Sequence, residues 1–179
     1  DHRIKVFDSS GNFLFKFGSE GSGDGQLSRP VAVGKNPATG KIYVADTYNN
    51  LIQVFDSSGN FLFNFGSSGF NSPADIDFDS AGNVYVVDTG NNRIQVFDSA
   101  GNFLTKFTHG ALSGPRGLAI AESLNKMYVV AVKYGIEDVL SFSFDIPLDA
   151  NDFPGGESVP TPPTVTSSAY LNDTSSTGR

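Results

Sequence analysis

Asn91-Asn92-Arg93-Ile94-Gln95-Val96-Phe97-Asp98-Ser99-Ala100-Gly101-Asn102-Phe103-Leu104 is the stretch on which the fold is read. The pattern occurs three times, beginning near Asp1, Asn49 and Asn91, and the anchors Phe7, Phe55 and Phe97 lie 48 and 42 residues apart. Ile4–Gly18 and Ile52–Gly66 differ only at Lys5/Gln53 and Lys16/Asn64. Inside each copy two period-two runs flank a turn cluster such as Asp8-Ser9-Ser10-Gly11-Asn12, the pattern of a β-hairpin. Short strands recurring with a period in the 40s mark an array of four-stranded blades, a β-propeller.

Working outward, Pro30-Val31-Ala32-Val33 and Lys41-Ile42-Tyr43-Val44-Ala45-Asp46 supply two strands ahead of the second copy. Residues 31–65 are then one complete set of four. A second set runs from Pro73 through Val84–Asp88 to 93–107, and a third opens at Gly114–Ile120 and Asn125–Val130. There the pattern decays: Ala131-Val132 stand where Asp46-Thr47 and Asp88-Thr89 stood, and Val139–Phe144 is read as one more strand. The expected fold is all-β, with about three blades in an incomplete ring over residues 1–146 and an irregular tail over 147–179. Pro154, Pro160, Pro162 and Pro163 among many Ser and Thr describe that tail, which has too little apolar surface for a core. Asn172-Asp173-Thr174 in it matches a glycosylation acceptor.

With 16 Phe, 6 Tyr and 20 Gly, the composition of these 179 residues favours strands and tight turns over helices. A net charge of −7 argues against a nucleic-acid partner, which needs a basic face, and against an anionic membrane surface. No run approaches the roughly 18 apolar residues of a membrane span. The absence of Cys excludes disulfides and thiolate chemistry. The chain opens at Asp1 inside a repeat, as expected of a processed product or a fragment.

Pro-x-x-(Ile/Leu/Val), then Gly82-Asn83-Val84-Tyr85-Val86-Val87-Asp88-Thr89-Gly90-Asn91-Asn92-Arg93-Ile94-Gln95-Val96-Phe97, then Gly101-Asn102-Phe103-Leu104, resembles the NHL repeat family, over roughly residues 1–130. The resemblance implies a propeller, most often six-bladed. This chain would hold the two outer strands of one blade, two full blades, and two or three inner strands of another. Either further blades lie elsewhere, the simpler reading, or two copies close a ring by pairing strands 116–130 of one with 3–17 of the other.

Asp46-Thr47-x-Asn49-Asn50 and Asp88-Thr89-x-Asn91-Asn92-Arg93 are the obvious polar constellation. They could be ligands around a channel, but recurrence in each blade favours turn-holding hydrogen bonds, since a catalytic group is needed once. Gly18–Arg29 reads as a loop; Glu20 and Asp24 are too few carboxylates for a Ca²⁺ site. The enzymes that NHL proteins resemble, such as the peptidylglycine amidating lyase, gather several His around zinc, whereas this chain has only His2 and His109. No nucleophile elbow is present. No catalytic residue, metal site or cofactor is therefore expected. The positions that differ between copies, Arg29, Tyr48, Phe70, Asn71, His109, Arg116 and Tyr134, are the candidates for contact with a partner, and Arg29, Tyr48, Phe70, Arg116 and Tyr134 are of types that anchor interfaces. The expectation is a non-catalytic binding or assembly module, extracellular or on a cell surface, with a protein or glycan partner or self-association into a ring. The rivals are a lyase- or lactonase-type enzyme with catalytic residues in absent blades and, weakest, an RNA binder.

Overall fold

The repeated hairpins form because the turn cluster closes on itself. In the computed structural model, which describes residues 1–66, 69–133 and 136–143, β1 (Ile4–Phe7) and β2 (Phe13–Phe17) pair antiparallel. Between them Asp8 Oδ1 accepts the amides of Ser10 and Asn12, and its Oδ2 accepts Asn12 Nδ2. The same closure recurs at Asp56–Asn60 and Asp98–Asn102. It holds the Asp8 and Asp56 carboxyls below the usual carboxylate range, the Asn side chain contributing most. At Asp98 partial burial works to raise the value, and the Asn102 amide and backbone N–H groups outweigh it.

Two full sheets follow in chain order: β5 (Ala32–Lys35), β6 (Ile42–Asp46), β7 (Leu51–Phe55) and β8 (Phe61–Phe65), after a short parallel bridge of β3 (Ser19–Glu20) with β4 (Gln26–Leu27). The second sheet is β9 (Pro73–Phe78), β10 (Val84–Asp88), β11 (Arg93–Phe97) and β12 (Phe103–Thr108). A three-stranded sheet of β13 (Pro115–Ala121), β14 (Lys126–Lys133) and β15 (Ile136–Ser143) completes the described residues.

Both faces of the middle strands of the two full sheets are apolar because each of these sheets packs against a neighbour on either side. Tyr43, Ala45, Ile52 and Val54 meet Ile76, Val86 and Phe97 of the following blade, while Val44 and Phe55 meet Phe17 of the preceding hairpin. Tyr85, Val87, Ile94 and Val96 repeat the first arrangement against Met127 and Val129. The joint is reproduced in detail: Phe17 lies 4.9 Å from Phe55 and Phe65 lies 4.8 Å from Phe97, centroid to centroid. Glycine is required at the turn for two reasons. Gly59 has φ +85°, and a Cβ there would stand 2.7 Å from Phe17.

Strict alternation along β2 puts Phe13, Phe15 and Phe17 on one face against a neighbouring blade; that and two other expectations need correction. Phe13 does not join Phe15 and Phe17 there. A bulge between Val6 and Phe7 sets Phe13 opposite Phe7 at the hairpin's end, where it stays 55 % exposed. Gly18–Arg29 is not wholly loop, because burial of Leu27 brings Gln26–Leu27 alongside Ser19–Glu20. The outer edge of β14 is already paired with β15 over Lys126–Lys133, so the strand pairing imagined for ring closure between copies would displace β15. The proposed tail over 147–179 lies outside the described residues.

Candidate functional site

The loops leading into β5, β9 and β13 and the β6–β7 and β10–β11 connections lie at one end of the sheets, here called the loop end. Repeated residues stitch it together. Asp46 is fully buried; its Oδ1 accepts Ser28 N at 2.6 Å, and its Oδ2 accepts Asn49 Nδ2 at 2.8 Å and Gln53 Nε2 at 2.9 Å. Asp88, equally buried, accepts Asn71 N at 2.7 Å, Asn91 Nδ2 at 2.9 Å, Gln95 Nε2 at 3.0 Å and Arg93 Nε at 2.6 Å. A buried carboxylate is tolerated when its oxygens are occupied in this way.

The rest of the motif reaches the following blade. Asn50 and Asn92 turn left-handed at φ 55° and 51°, and their Oδ1 atoms accept Ser72 N and Gly114 N. Thr47 and Thr89 donate their hydroxyls to the carbonyls of Pro73 and Pro115. In the first hairpin His2 occupies the Asn position with φ 49°, and its Nδ1 accepts Arg29 N at 3.1 Å. These polar groups are spent on joining blades. Where Ala131 replaces the aspartate, β14 runs on to Lys133 and pairs with β15 along its whole length.

The residues that break the repeat sit on this frame. Arg29 holds φ +47°, a conformation its counterparts fill with Ser72 and Gly114. Its guanidinium carbon lies 4.6 Å over the Tyr48 ring, and Nη1 donates to Tyr48 Oη at 2.7 Å. Tyr48 is itself anchored by its amide to Ser28 O at 3.1 Å, yet its side chain leaves the residue 59 % exposed. The structure thus brings Arg29 and Tyr48 together. Arg116 is exposed near the start of β13, two inner strands away.

Phe70 is a correction: it is 7 % exposed, packed on Phe65 and Phe97 and held by its amide on Gly66 O, so it is core beneath the loop rather than a contact residue. Tyr134 lies outside the described residues. Asn71 is engaged by Asp88 through its amide and by Gly90 N through its carbonyl. His109 Nδ1 accepts Ala111 N at 3.1 Å. Glu20 lies 3.9 Å from His2, whereas Asp24 accepts Asn64 Nδ2, so the two carboxylates serve separate contacts. Among the described residues no group of three or more His, Asp or Glu could hold a metal ion, and no helix is long and apolar enough to cross a membrane.

Sequence reasoning passed over Asp75 and Asp77 of the inner strand β9. Asp75 Oδ1 accepts Ile76 N at 2.9 Å and its Oδ2 accepts Leu118 N at 2.8 Å; Asp77 does the same for Phe78 N and Ile120 N. Each carboxylate therefore ties the inner strands of two blades. Burial pushes the Asp75 carboxyl up, against the pull of the two amides, and the charge of Asp77 adds to the rise. The available signal was Asp at alternate positions of a strand, where the other sets carry Ala32/Gly34 and Gly117/Ala119.

Comparison with known proteins agrees with this architecture. The NHL repeat family model matches residues 27–55 and 70–97. Hydrazine synthase of Kuenenia stuttgartiensis superposes with a TM-score of 0.65 at 17% identity, over 79% of this chain and 40% of that one. Virginiamycin B lyase of Staphylococcus aureus gives 0.56 at 16%, over 82% of this chain and 50% of that one. A streptogramin B lyase gives 0.56 at 14%, over 82% and 49%. At such identities the likeness establishes the fold alone, and the chain spans half or less of the length of these structures. No curated protein matches it.

Proposed function

We propose that this NHL-repeat β-propeller chain is a non-catalytic binding and assembly module that presents its loop end to a protein or glycan partner, outside the cell or on its surface. One observation carries the reading. The repeated polar residues are used up in holding the loop-end connections and in joining blades, while Arg29 and Tyr48, which depart from the repeat, are exposed and hydrogen-bonded to each other at the loop end. Function concentrates on loops set by a rigid scaffold, and Tyr and Arg are the side chains that most commonly anchor interfaces. The Ser/Thr/Pro-rich composition after residue 147 supports the surface location.

The test is an array of glycans and proteins probed with the chain and two double variants. A ligand lost with Arg29→Ala/Tyr48→Ala but kept with Lys35→Ala/Lys41→Ala at the opposite end is the expected result. Ligands indifferent to the loop-end pair would overturn the reading. The rival is a lyase-type enzyme, favoured by the two lyases among the structural neighbours. Cleavage of virginiamycin B by this chain would establish that rival.

A further inference from the structure

Arginine is sorted along the blades. Four arginines fall within the described residues, Arg3, Arg29, Arg93 and Arg116, and all four stand at or next to the loop-end termini of strands. The turn carboxylates Asp8, Asp56, Asp79 and Asp98 stand at the opposite end, where the hairpins close, while the loop end holds the buried, fully occupied Asp46 and Asp88 and the exposed Glu20 and Asp24. In a molecule of net charge −7 the arginines among the described residues therefore gather at one end. Arg93 is neutralised by Asp88 at 2.6 Å, but among the described residues neither Arg29 nor Arg116 has a carboxylate partner.

Arg29 is also pre-set. Its backbone is held by His2, its head by the Tyr48 hydroxyl, and its plane by the Tyr48 ring. Tyr48 stays 59 % exposed with Arg29 over its ring. A planar fork of N–H donors beside an exposed aromatic residue matches a carboxylate carried on a C–H-rich ring.

The geometry points to a carboxylated glycan, a linear oligo-uronate, as the ligand of the loop end, with one uronate on Arg29 and Tyr48 and the chain extending toward Arg116. The inference rests on the binding reading above and names its partner class. A nucleic acid is the poorer fit, because it asks for a dense basic surface to neutralise many phosphates, and only a few unpaired guanidinium groups are offered here. A uronate asks for one cation per sugar, and Arg grips a carboxylate through two parallel hydrogen bonds.

Trigalacturonate is titrated into the full chain by calorimetry at low and high salt, with maltotriose and a single-stranded RNA dodecamer as comparisons. Saturable binding that weakens as salt rises is expected, since exposed charge pairs are screened. Arg29→Ala is expected to weaken it by about tenfold or more, the range for a hydrogen bond to a charged group, and Arg116→Ala by less. Tyr48→Phe, which keeps the ring and loses the hydroxyl that aims Arg29, falls between Tyr48→Ala and the parent chain. Lys41→Ala leaves affinity unchanged. Unaltered thermal melting of the Arg29 and Tyr48 variants separates lost binding from lost folding, and Arg29→Lys supplies a second variant that keeps the charge without the fork. Failure to bind trigalacturonate, equal binding of maltotriose, or tighter binding of the RNA overturns the inference. If a protein binds through Arg29 and Tyr48 while uronates do not, the binding reading stands and this inference falls. If the array finds no ligand at all, both fall.

Discussion

Replacing Asp88 by Ala removes the carboxylate on which the second blade's loop-end connection is built. Asn71 N, Asn91 Nδ2, Gln95 Nε2 and Arg93 Nε then lose their acceptor together. Breaking a buried ion pair by deleting one partner costs about 3–5 kcal/mol. Each neutral donor left unsatisfied adds about 1–3 kcal/mol at most. The contributions do not simply sum: the Arg93 side chain is 19% exposed and can turn to water. A loss of about 3–5 kcal/mol is therefore expected, a large part of the 5–15 kcal/mol typical of a folded domain. Urea unfolding followed by far-ultraviolet circular dichroism measures it, with Asp98→Ala, at an exposed hairpin turn, as the milder comparison. A cycle pairing Asp88→Ala with Arg93→Ala isolates the ion pair, whose coupling is expected in the range of about 0.5–3 kcal/mol for contacting residues. A loss below about 1 kcal/mol, or equal losses at Asp88 and Asp98, would refute the claim that buried aspartates hold the blades. That refutation has a physical basis in the third blade, where Ala131 is accommodated by continuing the strand.

Three further outcomes test the joints and the turns. The Asp75 carboxyl is raised by burial in the folded chain, so its titration favours folding at low pH, and that contribution disappears as pH rises through the folded value. Stability of Asp75→Asn relative to the parent should thus improve between pH 3 and pH 7 as measured by thermal melting; the opposite slope contradicts the burial. Asp56→Asn should show the reverse trend, because the Asp56 carboxyl is lowered and its stabilisation is present above the unfolded value. Gly11→Ala and Gly59→Ala share φ near +85°, but a Cβ at Gly11 meets nothing within 4 Å while one at Gly59 meets Phe17 at 2.7 Å. Gly11→Ala should cost about 1–2 kcal/mol for the left-handed backbone, and Gly59→Ala about 1–3 kcal/mol more for overpacking. Equal denaturation midpoints would remove the case for a close inter-blade approach.

The strands, their order and the blades were legible in the chain because they are local. Alternation in Ile94–Phe97 and Phe103–Phe107 follows from the two-residue period of a strand, and Asp98-x-x-Gly101-Asn102 closes its turn through bonds between residues at most four apart. A repeat of such units implies stacking, since no single blade can bury Tyr43, Ile52 and Val54 alone. The candidate site was legible only in part. Arg29 and Tyr48 stood out as departures from the repeat, but their contact joins residues 19 positions apart and depends on the left-handed turn that aims Arg29. Phe70 shares an anchor's residue type and was misplaced by it: whether a Phe in a loop faces water or Phe65 and Phe97 depends on how Gly66 turns the chain, at φ +88°. Asp75 and Asp77 find their partners 43 residues on, across a joint that exists only once the blades have stacked. Local periodicity specifies each blade; which side chains are spent on joining blades, and which remain for a ligand, follows from distances that arise only when blades meet.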